Sequence, residues 1–362
     1  MAGEACHESG TSRGRGTGLN PPNRFEPWFY EPDPEGDPED RPLPRTRFFL
    51  DRSVHVLSFN DSPDLGFDVS LNPYRGCEHG CAYCYARPTH EYLGFSSGLD
   101  FESIIIIKPE APELLRAELA SPRWQPRTIA LSGVTDCYQP IERRLQLTRR
   151  CLAVLAEFRN PVCVVTKNFL VTRDIDLLTE LAGHQAVVVC LSISTLDAEL
   201  ARCLEPRAAL PQARLKAIES LAKAGIPVGV LMAPIIPGLT DHEMFCITQA
   251  AAGAGASFAC YSILRLPHAV QDIFLEWLER HRPLQKSRVL SRLQEVREGK
   301  LSDARFGTRL TGTGPAAQRI AQAFTVACRR AGLDRPFPVL SAASFRVPGP
   351  LSRPEQMELP IR

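Results

Sequence analysis

Between residues 69 and 264, short apolar runs alternate with longer stretches of helical periodicity. This alternation limits the fold more than any other feature. The runs 69–72, 128–132, 161–166, 187–194, 226–232 and 257–264 are continuous rather than alternating, as in Pro-Val-Cys-Val-Val-Thr at 161–166. Strands buried on both faces of a parallel sheet read this way. Between them, 111–120, 142–158, 173–182, 212–224 and 240–253 read as helices. Leu147, Cys151, Val154 and Phe158 mark one apolar face at helical spacing. Gly183 and Gly225 stand at helix ends, and Thr240 and Asp241 are cap residues. Six βα units fall short of the eight that close a TIM barrel. The expected fold is therefore parallel α/β. The apolar run 104–108 stands outside that count.

The flanks differ in character. Residues 1–45 are expected as a disordered Pro/Gly-rich tail, because the acidic, proline-rich stretch 31–40 buries too little apolar surface to offset ordering. Phe25, Trp28, Phe29 and Tyr30 are the exception, suited to packing on the domain. The α/β domain is expected over 46–265 and a small C-terminal helical appendage over 266–334. Its helices fall at 271–282, 286–297 and 315–331, the first two broken by Pro283. Residues 335–362 read as an extended tail.

The net charge of +1 makes no global case for nucleic acid or membrane. No run of eighteen apolar residues occurs and the start lacks a hydrophobic signal region. Twelve cysteines form no secreted disulfide framework. A cytoplasmic monomer without membrane attachment is expected.

The first of the six strands runs straight into Asn72-Pro73-Tyr74-Arg75-Gly76-Cys77-Glu78-His79-Gly80-Cys81-Ala82-Tyr83-Cys84-Tyr85. Three thiolates on so few residues can wrap one metal centre, and sulfur is the ligand that iron–sulfur clusters select. A cubane of four irons would keep one iron open. The competing reading is a zinc site with His79 as fourth ligand. Structural zinc sites usually draw on two separated pairs, and no second such pair occurs here.

Cys77-x3-Cys81-x2-Cys84, with Tyr83 before the last cysteine, resembles the radical S-adenosylmethionine (SAM) superfamily. Members of that superfamily commonly fold as an open, six-unit barrel, so the resemblance implies a partial (βα)6 TIM-type barrel over 46–265. The resemblance implies a [4Fe–4S] cluster on Cys77, Cys81 and Cys84, with SAM chelated to the open iron. It implies one-electron cleavage of SAM to a 5′-deoxyadenosyl radical that takes hydrogen from a substrate. It also implies an electron donor such as flavodoxin or ferredoxin. The loop 132–142 resembles the one that contacts the SAM amino group, although the common Gly-Gly-Glu is missing. Thr135 and Asp136 would supply its contacts, or shape a turn. Lys167 would pair with the SAM carboxylate, and Ser192 and Ser194 would reach the ribose or carboxylate. Arg214 would clamp a carboxylate, and 232–238 resembles the apolar edge against which adenine packs. Tyr83 and Tyr85 either cover the cluster or relay a hydrogen atom.

From 77 to 264 the chain looks most like the spore photoproduct lyase-like branch, also called DNA-repair photolyase-like. That likeness implies a lyase-type radical reaction on damaged DNA or another nucleic acid, with protein or a small metabolite as competing substrates. Cys137 lies near the place of that branch's hydrogen-donating cysteine; it is either a donor or a core thiol. The basic run from Arg280 to Lys300 is interrupted by Glu295 and Glu298, which reads more as a solvated face than a phosphate track. The loop 311–314 is a plain loop or an anion cradle. The reading from another class is a non-catalytic iron–sulfur or zinc nucleic-acid-binding module.

Overall fold

The computed structural model describes residues 14–26 and 45–349. Its strands are β1 (Arg47–Leu50), β2 (Leu57–Phe59), β3 (Val69–Leu71), β4 (Tyr74–Arg75), β5 (Ile104–Ile107), β6 (Ile129–Leu131), β7 (Val162–Thr166), β8 (Val187–Ser192), β9 (Val228–Ile235) and β10 (Ala259–Ile263). The main sheet runs β2-β3-β6-β7-β8-β9-β10. From β3 to β10 every pairing is parallel and in chain order, and β2 adds one antiparallel strand to the β3 edge. β2 and β10 do not pair, so the barrel is open. The six parallel strands coincide with the six apolar runs. The run at 104 belongs to a separate sheet, β1-β5-β4, as its exclusion from the count required.

The helices are α1 (Leu99–Ser103), α2 (Ala111–Ala120), α3 (Glu142–Leu145), α4 (Leu147–Phe158), α5 (Ile175–Gly183), α6 (Ala198–Leu204), α7 (Pro211–Lys223), α8 (Met244–Gly253), α9 (Val270–His281), α10 (Pro283–Glu295) and α11 (Gly314–Ala331). Alternate strand residues serve two layers. Val162, Val164, Val187, Val189, Val228 and Val230 join the helices in the main core. Cys163, Val188 and Cys190 face the other way, with Phe258 and Leu340. Both faces are buried, which is why the runs do not alternate. Gly229 is fixed by this second layer: a Cβ there would lie 2.4 Å from the Phe258 ring.

Three local readings are corrected. The helix expected over 142–158 is two, because Gln146 takes a left-handed φ of 53° between α3 and α4. Helix α6 was not anticipated; Asp197 caps it by accepting from the N–H groups of Glu199 and Leu200. Within the expected N-terminal tail, residues 14–26 lie against the domain. Asn23 donates to the carbonyls of Glu91 and Phe95, Arg24 pairs with Glu91, and Phe25 stacks on Tyr92 at 4.9 Å. Trp28, Phe29 and Tyr30, and the tail at 350–362, fall outside the described residues.

The appendage covers the cysteine loop. α9 and α10 bury Trp277, Leu278, Val289 and Leu293 in one cluster with Cys81, Ala82 and Tyr83. The extended segment after α11 crosses the opposite end of the sheet. There Ser341 N–H donates to Gln185 at 2.9 Å and Arg346 N–H to Phe158 at 3.0 Å, just before β8 and β7. Among the described residues, no helix is long and apolar enough to cross a membrane.

Candidate active site

The cysteine loop is shaped by its own backbone and braced by one arginine. Gly76 and Gly80 take positive φ, and Gly80 N–H returns to Cys77 O while Cys84 N–H returns to Cys81 O. Arg87 is fully buried beneath the loop. Its Nε and Nη2 donate to Cys81 O at 3.0 and 2.9 Å, its Nη1 to Gly98 O at 2.8 Å. Glu102 neutralises it at 2.6 Å, with neither side chain exposed. Breaking a buried pair of this kind typically costs about 3–5 kcal/mol, so the curve of the loop is strongly held.

Cys77, Cys81 and Cys84 are all unpaired, the first two buried. Burial pushes each thiol above its ordinary pKa. Several groups nonetheless favour the thiolates. The N–H groups of Asp136 and His79 serve Cys77, those of Ala86 and Arg87 serve Cys84, and the Lys167 charge serves Cys81 and Cys84. Amide donors aimed at sulfur tune iron–sulfur clusters, and iron supplies the positive charge that buried thiolates need. The residues present therefore fit a cluster. Among the described residues no three His, Cys, Asp or Glu side chains converge on a single ion. A cubane places each thiolate on its own iron, so it asks for no such convergence. His79 does not serve as a fourth ligand: its Nδ1 lies 3.3 Å from Asp136 and its Nε2 3.3 Å from Asn168.

Asp136 occupies the centre of the frame rather than the mouth. Its Oδ1 accepts from Tyr138 N–H at 2.9 Å and Thr166 Oγ1 at 2.7 Å; its Oδ2 accepts from Lys167 N–H at 2.7 Å. Burial opposes its charge, yet His79 and these donors bring its pKa down to about 2. Thr135 is buried, its hydroxyl on Tyr74 O at 3.2 Å and its N–H on Asn72. Both residues shape the turn, Asp136 through these donors and the nearby His79 ring, Thr135 through Tyr74 and Asn72. Residues 132–134, like Asp136 and Pro140, are partly exposed, and Gly133 O accepts the Tyr85 hydroxyl at 2.7 Å. Cys137 lies deeper than these. It is fully buried in the main core, its N–H on Ser132 Oγ and its carbonyl on Thr148, with no exposure toward a substrate.

A second buried network ties Tyr83 to the barrel. Tyr83 donates to Glu205, and Ser194 lies 3.2 Å from Tyr83 Oη and 3.3 Å from Glu205. Arg214 pairs with the other Glu205 oxygen, while its Nε and Nη1 donate to Ala209 O and Ser192 O at 2.7 and 2.9 Å. Burial opposes the Glu205 charge, but Arg214 and Lys167 hold its pKa below the usual range. The clamp expected of Arg214 is therefore already closed on Glu205 and on backbone. Lys167 differs: it is only partly buried, 5.9 Å from the Tyr83 ring, within electrostatic reach of Cys81, Cys84 and Glu205. Ser192 is buried at the end of β8.

Sequence reasoning missed the braces. Arg87, Glu102, Gln139, Asn72 and Glu205 hold loops through several hydrogen bonds each, such as Gln139 Oε1 on Glu78 N–H at 2.9 Å and Gln139 Nε2 on Gly76 O at 3.2 Å. No local spacing announces partners 60 residues apart. Three residues of the basic run are ion-paired: Arg280 with Glu276, Lys286 with Glu279, Arg292 with Glu295. The loop at 311–314 folds onto Val296, whose carbonyl takes Thr313 N–H.

An open parallel α/β barrel with a cysteine trio after its first strand defines a class of cluster-dependent enzymes. The model of the Radical SAM superfamily matches residues 71–245. An uncharacterised protein of Mycobacterium tuberculosis is 40% identical over 235 residues, 64% of this chain and 68% of that protein. One of Methanocaldococcus jannaschii is 31% identical over 178 residues, 49% of this chain and 64% of that protein. Spore photoproduct lyase complexed with dinucleoside spore photoproduct superposes with a TM-score of 0.56 at 15% identity, covering 78% of each chain. A variant of that lyase with bound AdoMet and the same photoproduct gives 0.55. The chain belongs to the radical SAM superfamily. It is a radical SAM enzyme with the fold of spore photoproduct lyase and a substrate not yet identified.

Proposed function

We propose that the chain holds one [4Fe–4S] cluster on Cys77, Cys81 and Cys84, binds SAM at the iron left open, and takes hydrogen from a nucleic-acid substrate. When bound, the cluster supplies the electron, drawn from a donor such as flavodoxin or ferredoxin, that splits SAM to a 5′-deoxyadenosyl radical. The observation that carries this reading is the trio of unpaired thiols, with amide N–H groups serving two of them, on a loop fixed by Arg87 and Glu102. Lys167 receives the SAM carboxylate, and Ser192 at the neighbouring strand end offers a hydroxyl. Tyr83, committed to Glu205, keeps water off the cluster, and Ser194 fixes its hydroxyl. Thr135, Asp136 and Arg214 hold the frame. Nucleic acid enters as the substrate class because the structures that share this fold carry a dinucleoside lesion.

Anaerobic reconstitution tests the reading. Close to four irons and four sulfides per chain are expected, with 5′-deoxyadenosine formed after dithionite and SAM. Zinc-loaded protein that never yields 5′-deoxyadenosine would return the chain to a non-catalytic binding module.

A further inference from the structure

Beyond the end of β10, Arg265 and the Arg297 that closes onto the residues just before it hold donors left unanswered. Arg297 is 1% exposed. Its Nη2 closes the strand by donating to Ile263 O and Leu264 O at 3.3 and 2.7 Å. Its Nε and Nη1, and the Nε of Arg265, are buried without a hydrogen-bond partner. Leaving charged donors buried and unanswered is expensive. Burial first, and the charge of Arg265 second, lower the pKa of Arg297 to about 10.

The neighbouring carboxylates are already engaged. Asp64 takes Arg309, and Asp303 takes Arg305 and the Thr308 hydroxyl. The pair therefore carries two positive charges with no carboxylate of its own. It also stands at the mouth. The Arg265 guanidinium lies 5.8 Å over the ring of Tyr85, the exposed residue that follows Cys84. Lys167, at the end of β7, answers the one carboxylate of SAM in the reading above. A second anion must come from the substrate.

We propose that Arg265 and Arg297 form a phosphate-binding subsite that seats a phosphate group of the substrate beside Tyr85. Three unanswered donor atoms on two planar guanidiniums suit the several oxygens of a phosphate better than the two of a carboxylate. The inference rests on the radical SAM reading only for the place of the substrate over the mouth. A phosphodiester of nucleic acid and a phosphorylated small molecule present the same group.

Titration calorimetry on the anaerobically reconstituted full chain with SAM separates these sources. The probes are thymidine, thymidine 5′-monophosphate, a dithymidine monophosphate and inorganic phosphate. The phosphate-bearing nucleosides should bind at least about tenfold tighter than thymidine. Arg265→Gln and Arg297→Gln should each erase that preference, and Arg265→Lys should keep part of it. Thermal melting reports whether each variant is folded; Arg265 is partly exposed, so its substitution keeps the test usable if Arg297→Gln unfolds. A dinucleotide that outbinds the mononucleotide and inorganic phosphate identifies a nucleic-acid backbone. Equal binding of the three identifies a small phosphorylated substrate. Equal binding of thymidine and its phosphates, or a preference that survives Arg265→Gln in folded protein, overturns the subsite. Formation of 5′-deoxyadenosine by the unmodified protein is read separately, so that losing one reading leaves the other standing.

Discussion

The main-chain N–H of Lys167 donates to Asp136 Oδ2 at 2.7 Å, joining the end of β7 to the loop after β6. The same carboxylate sits 3.3 Å from His79 in the cysteine loop. One side chain thus sets the relative position of three strand-end loops. Replacing Asp136 by Ala leaves several buried donors unanswered and should cost about 3 kcal/mol. Chemical denaturation of the apo-protein measures that loss, and iron per chain should fall as His79 loosens. Unchanged stability would show that the hub is redundant.

Each cysteine of the trio is predicted to be indispensable and Cys137 dispensable. Serine at Cys77, Cys81 or Cys84 should abolish 5′-deoxyadenosine formation and most of the charge-transfer absorbance. Cys137→Ala removes a core thiol and should cost about 1–2 kcal/mol with iron content and SAM cleavage retained. Loss of SAM cleavage in folded Cys137→Ala would place that thiol nearer the cofactor than its burial in the main core implies.

Glu205 answers both Arg214 and Tyr83 in a site closed to water. Glu205→Gln leaves Arg214 without its counter-charge and should destabilise the fold by about 3–5 kcal/mol. Tyr83→Phe removes one hydrogen bond and should cost about 1 kcal/mol. Melting temperatures of the two apo-variants give the order; a reversal would show that the tyrosine carries the network.

Lys167 is the cation predicted to meet the SAM carboxylate. Lys167→Met should raise the KM for SAM about tenfold or more while changing kcat little, since the contact is made before and during bond cleavage alike. A fall in kcat at unchanged KM would assign Lys167 to the chemistry instead.

His90 gives the apo-fold a pH dependence. It is fully buried between Phe95 and Phe101, and burial, opposed by the Asp100 charge and the backbone of Ile104, pushes its pKa down to about 4. An unfolded histidine titrates near about 6.5. Between those values the unfolded chain binds the extra proton, so stability must fall as pH drops from 6.5 toward 4. The contribution at stake is roughly 2–4 kcal/mol. Denaturation midpoints between pH 7 and 4.5 should fall more steeply for the parent protein than for His90→Phe. Equal slopes would assign the acid sensitivity to other groups.

The order of the barrel was legible because its strands are buried on both sides and so write themselves as unbroken apolar runs. The cysteine trio was legible because its partners are local. The partners of Asp136, Thr135 and Arg214 were not legible, for one shared reason. A polar side chain at a strand end looks the same in sequence whether it faces a ligand or another loop. Only the partners decide: Thr166 and Tyr74 stand 30 and 61 residues from Asp136 and Thr135, and Glu205, 9 residues from Arg214, carries no spacing that marks it. Residues 14–26 misled because composition counts apolar surface and ignores donors: Arg15 and Gly16 reach Glu102 through its carbonyl and carboxylate.

Gly16 approaches the cysteine loop so closely that a Cβ on it would fall 1.6 Å from Gly80 O. In the proposed cluster-loaded protein, an amino-terminal strap of this tightness would seal the outer side of the cysteine loop. Proteolysis or a bulky fusion that peels it away would leave the barrel standing but admit dioxygen from behind. The air-bleaching rate of the cluster then becomes a gauge of whether that strap is seated.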